Sequence, residues 1–183
     1  ADGCVRWVGP VATFREKQGV IGLGTYKAGR LQCTPYYRDW TTLGQFSVFG
    51  AEIIPSSTYA VKTFGADCDG NEATCTNVSP AVTMLTRRSG DAATPWNPPA
   101  VSDEPSGSDV GEMVNKFKGA PGSPSNIAAL LFGNVPDPNT DVGGSDIGET
   151  VSGFKGIAFP SAWSPCACPS TVICWATPCT SNA

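Results

Sequence analysis

The chain has 183 residues, 40% of them apolar and 15% charged, with a net charge of −4. That balance excludes a disordered polar tail, and the lack of any basic run excludes a binder of phosphate backbones, so nucleic acid is not an expected partner. Histidine is absent, which removes the usual general base near neutral pH and the commonest transition-metal ligand; the chain reads as a non-enzyme. The 21 Gly and 16 Pro favour short strands joined by turns. Eight cysteines, an even number, read as disulfides made in an oxidising compartment, so the expected location is extracellular, secreted or at a cell surface. The longest apolar run, Ile127 to Phe132, is six residues, against the roughly 18 that a bilayer span needs. Ala1 at the first position is what removal of a signal peptide would leave.

Residues 1–93 read as a β domain, because apolar and β-branched residues come in short runs broken by Gly and Pro. At the start, Val5 and Trp7 alternate with Arg6 and Val8 as in a strand. The glycines of Gly19 to Gly24 lack the order of a dinucleotide-binding loop and read as turns or a bulge. Tyr36, Tyr37 and Trp40 form an aromatic cluster that fits either a core edge or a stacking platform for sugars. Further strands are expected at Gln45 to Phe49, Ser57 to Phe64 and Ala81 to Thr86. Between the last two lies the loop Asp67 to Thr76, whose Cys68 and Cys75 suit a disulfide. Its acids Asp67, Asp69 and Glu72 read as a solvated tip more readily than as a carboxylate pair held across a cleft. Asn77-Val78-Ser79 is an acceptor sequon, which would place Asn77 on the surface of a glycoprotein.

The run Ile54-Pro55-Ser56-Ser57-Thr58-Tyr59-Ala60-Val61 resembles the corner of fibronectin type III domains, and Val78 to Thr83 looks like their last strand. The resemblance implies an antiparallel β-sandwich of the immunoglobulin or fibronectin type, in which the Tyr59 hydroxyl makes a corner hydrogen bond.

Residues 94–100 read as a Pro-rich linker, since the adjacent prolines of Thr94 to Pro99 cannot continue a helix or a central strand. Residues 101–160 carry an internal repeat, GSDVGEMVNKFKG at Gly107 to Gly119 and GSDIGETVSGFKG at Gly144 to Gly156, identical at nine of thirteen positions and offset by 37. Each copy offers a Ser-Asp pair for capping, apolar residues at helical spacing and a terminal Gly, and so predicts a helix. Two helices this short are unstable alone, so their Phe-bearing faces are expected to pack together or onto the sheet. Between them, Pro124-Ser125-Asn126 starts a short helix through Phe132.

The duplicated helix preceded by acids resembles a type I dockerin. That resemblance implies calcium at Asp137, Asn139, Asp141 and Asp146, with a cohesin-like partner; the alternative is that these acids are helix caps favoured by the macrodipole. Residues 161–183 form a Cys-rich tail with Cys166, Cys168, Cys174, Cys179, Trp163 and Trp175. Its thiols suit disulfides or a four-thiolate zinc site, and the even total of cysteines favours disulfides, leaving Cys4 and Cys33 as a pair for the first domain.

A sandwich followed by dockerin-like repeats and a Cys-Pro tail is similar to the C-terminal modules of large secreted bacterial surface proteins, which implies extracellular assembly or attachment. The expected function is a structural subunit that self-associates into a fibre or surface layer by exchanging a terminal strand or arm, through Val5 and Trp7 or through Trp163 and Trp175. The alternative is a dockerin-like or carbohydrate-binding module for attachment to a surface protein or glycan.

Overall fold

The computed structural model describes residues 5–16, 24–50, 52–65, 67–68, 74–93, 105–131 and 137–157. They form five strands in two small sheets and three short helices. Strand β1 (Trp7–Arg15) runs antiparallel to β2 (Thr25–Gln32), and β3 (Ser47–Phe49) joins β2 in parallel, giving the order β1-β2-β3. Pro10 has no N–H to give a ladder, and the register shifts between Val8 and Val11, which places an irregularity in an edge strand where it is tolerated. β2 is central and small where it must be: Ala28 and Gly29 are buried, and a methyl on Gly29 would stand 3.0 Å from Val8 Cγ1.

The second sheet pairs β4 (Thr58–Val61) with β5 (Val82–Leu85), antiparallel, and a single bridge between Phe64 and Val78 extends it. The expected corner is present. Tyr59 Oη donates to Glu52 O at 2.7 Å and accepts from Ile54 N–H at 2.8 Å, tying the turn before β4 to the strand itself. Arg6 Nε pairs with Glu52 Oε1 at 3.0 Å, so one glutamate links the start of β1 to this corner. Cys68 and Cys75 are bonded, with Cα atoms 4.8 Å apart, and close the expected loop. Cys33 is in a disulfide as well; its expected partner, Cys4, lies outside the described residues.

The repeat makes two matching helices, α1 (Gly107–Phe117) and α3 (Gly144–Phe154), with the short α2 (Asn126–Ala129) between them. Both long helices end alike. Gly119 (φ 74°) and Gly156 (φ 75°) take the left-handed conformation that glycine adopts without strain. The N–H groups of Gly119 and Ala120 return to Lys116 O and Asn115 O, and those of Gly156 and Ile157 to Gly153 O and Ser152 O, the paired bonds that close a helix end.

The helices pack against each other, but not through the faces expected. Phe117 and Phe154 are 51% and 55% exposed, and the buried positions are Asp109, Met113 and Lys116 on α1 with Asp146 and Thr150 on α3. The cause lies at the helix starts, where each aspartate turns inward to bond backbone N–H groups and so sets the helix rotation. The core beneath them consists of Ala92, Met113, Ala129, Leu130 and Val142, with Leu131 and Ile147 packed against it. The helical and β parts share hydrogen bonds: Arg87 Nη2 to Ala128 O at 2.7 Å, Tyr26 Oη to Pro138 O at 3.4 Å, and Lys116 Nζ to Glu16 Oε1 at 2.5 Å. Among the described residues no helix is long and apolar enough to cross a membrane.

Candidate functional site

The four residues that the dockerin resemblance marks for calcium separate into two environments. Asp137, Asn139 and Asp141 lie in an exposed turn, where Asp137 Oδ1 accepts from the Asn139 backbone N–H at 2.9 Å and from its Nδ2 at 3.2 Å. Asp146 is 6% exposed. Its Oδ2 accepts from Gly143 N–H at 2.9 Å and its Oδ1 from Leu131 N–H at 2.8 Å. Both of its oxygens are therefore engaged by backbone donors at the helix start and in the preceding segment. Asp109 repeats the arrangement on α1: Oδ2 accepts from Ser106 N–H at 2.7 Å and from the Ser106 hydroxyl at 3.1 Å, while Oδ1 accepts from Ala92 and Ala93 N–H, both at 2.8 Å. A carboxylate at the third helical position satisfies donors that the helix cannot satisfy itself. Among the described residues no group of three His, Cys, Asp or Glu side chains is placed to hold a metal ion.

The aromatic cluster is held together by its own contacts. Trp40 stacks on Phe46 at 5.5 Å, meets Tyr36 edge-on at 6.4 Å and lies 5.8 Å from the Arg38 guanidinium carbon. Tyr37, 49% exposed, lies against Trp7 at 5.9 Å, and Trp7 in turn meets Phe64 at 5.2 Å. Val5 and Trp7 are half-buried within their own chain. Asn77 is exposed, and its carbonyl accepts from Gly65 N–H at 2.7 Å. Asp67 is exposed; the Thr76 hydroxyl donates to its carboxylate and holds it below the usual carboxylate range. Asp69 and Glu72, the tail with Trp163, Trp175 and its four cysteines, and the linker 94–100 lie outside the described residues.

The feature with the clearest potential for contact is the outer side of β5. All four of its residues are exposed, Val82 at 62%, Met84 at 56% and Leu85 at 54%, and among the described residues it pairs only with β4. Val82 and Met84 share one face with Val61 opposite, itself 43% exposed. No charge or proline interrupts Val82 to Leu85. Strand edges of this kind accept further strands unless something blocks them. Sequence reading found the strand but not its exposure, which depends on what the rest of the chain leaves uncovered.

No protein-family model, curated protein or solved structure matches this chain.

Proposed function

We propose that the chain is an extracellular structural subunit that self-assembles into a fibre or surface layer, with a strand of one subunit adding to the sheet edge of the next. The observation that carries this reading is β5, a largely apolar strand exposed along its length and paired, among the described residues, with β4 alone. Main-chain bonds along such an edge supply affinity, and Val82 and Met84 supply an apolar face for a partner to cover. The segment around Val5 and Trp7 is the donor we favour, because its residues alternate and Trp7 begins the edge strand β1. Contacts of this head-to-tail kind continue as filaments when the rotation does not close. The cysteines support a secreted setting, and the Tyr59 corner supports placing the two sheets in an immunoglobulin- or fibronectin-like sandwich.

Electron microscopy and sedimentation of the full chain test this reading, alongside deletions of residues 1–10 and 161–183. Loss of filaments in at least one deletion is the expected result; unchanged assembly in both would exclude exchange of a strand or arm.

The paired α1 and α3, with matching caps and matching ends, favour a second reading as a dockerin-like attachment module. Calorimetry with calcium separates the two: micromolar binding with a rise in melting temperature supports the second, and silence supports the first.

A further inference from the structure

Lys116 and Asn126 are joined through one oxygen of Glu16 where α1, α2 and the end of β1 come together. Lys116 and Asn126 are 0% exposed, and the Glu16 side chain is 10% exposed. One oxygen of Glu16, Oε1, accepts from Lys116 Nζ at 2.5 Å and from the Asn126 backbone N–H at 2.7 Å. The Asn126 side chain is held by its nitrogen, which donates to Thr140 O at 2.7 Å and reaches Pro138 O at 3.5 Å, while its Oδ1 is buried with no hydrogen-bond partner. An amine, an amide with an unsatisfied carbonyl oxygen, and a carboxylate able to carry a proton are thus gathered away from solvent.

The second copy of the repeat carries no lysine at this place. At the offset of 37, Gly153 of α3 stands where α1 has Lys116. There too the helix and the preceding segment approach closely: a methyl on Gly153 would stand 2.6 Å from Ser89 O. The second helix thus makes its close approach with a glycine where the first carries a lysine. A buried Lys–Glu pair is a weak source of stability, because desolvation offsets its attraction. The added amine, amide and carboxylate at the first crossing call for a chemical reason.

We propose that Lys116 and Asn126 become joined by an intramolecular amide bond, with Glu16 as the proton carrier. Glu16 takes a proton from the Lys116 ammonium across their short contact, and the freed amine attacks Asn126 Cγ. The Nζ–Cγ bond forms; Glu16 passes its proton to Nδ2 and takes the second proton from Nζ as the Cγ–Nδ2 bond breaks, so that Nδ2 leaves as ammonia and Glu16 ends protonated. Nothing is oxidised or reduced, and no other reactant is consumed. The bond would tie the end of α1 to the start of α2 by a link that reducing agents do not open. It does not depend on assembly, since a monomeric chain would carry it equally.

The test is the intact mass of the full chain after its disulfides are reduced, followed by peptide mapping. The expected mass is that of the sequence less one molecule of ammonia, with a branched peptide joining the Lys116 and Asn126 segments. Asn126→Ser and Lys116→Met are each expected to show the full sequence mass. Glu16→Gln, which keeps the shape but not the proton transfer, is expected to remain unlinked. A wild-type chain at full sequence mass, an ammonia loss with no branched peptide, or complete linkage in Glu16→Gln would overturn the proposal.

Discussion

Replacing Asp109 by alanine tests whether the buried aspartates act as acceptors for backbone N–H groups. Asp109 takes three backbone donors and one hydroxyl. Of these, the N–H of Ala92 belongs to a residue 2% exposed, whereas Ala93 and Ser106 are half-buried and water can partly replace the lost oxygen. A buried donor left without an acceptor costs about 1–3 kcal/mol and a half-exposed one less, so Asp109→Ala should cost about 3–4 kcal/mol. Among the described residues, Asp146 takes backbone donors from the half-buried Gly143 and Leu131, so Asp146→Ala should cost at least about 1–2 kcal/mol. Urea unfolding followed by tryptophan fluorescence, with disulfides intact and calcium chelated, gives both values; the slopes should match wild type. A cost below about 1 kcal/mol at either position would refute the account of why these helices are rotated as they are.

Other outcomes follow from the same geometry. Gly153→Ala should destabilise by about 1–3 kcal/mol, since its methyl would meet Ser89 O, while Gly148→Ala on the same helix, with nothing within 4 Å, should be neutral or stabilising by up to about 1 kcal/mol; thermal melts compare the two. Tyr59→Phe should cost about 1–2 kcal/mol in urea unfolding, because Glu52 O and Ile54 N–H both lose their partner. Burial, with Glu16 and Asp137 adding to it, pushes the Tyr26 phenol up from 10.0 to about 12. Because the folded-state value is the higher one, the phenol's contribution to stability is fully present below pH 10 and is lost as pH rises from 10 towards 12. Spectrophotometric titration should therefore show a late tyrosinate component that Tyr26→Phe removes.

Local pattern carried much of the architecture. The 37-residue offset marks both long helices and their glycine ends, and the run from Ile54 to Val61 marks the Tyr59 corner. The loop closed by Cys68 and Cys75 was equally legible. Three features were not. β2 is not legible because its stretch lacks the β-branched run of a strand and holds Gly29, which serves close packing against Val8. The outward turn of Phe117 and Phe154 was missed because apolar periodicity cannot register a carboxylate that must face inward. The pairing of Glu16 with Lys116 joins residues 100 apart, and no local pattern reports a contact of that range.

The claim on which the functional account rests is that the exposed edge of β5 receives a strand from a neighbouring chain. Sedimentation velocity of the full chain against a Met84→Lys variant, over a wide concentration range, tests it most directly, because an exposed charge on that strand leaves the described packing untouched. The account predicts concentration-dependent growth into filaments for the wild-type chain and single subunits for the variant. A wild-type chain that stays monomeric throughout, or a variant that assembles as readily, would contradict it.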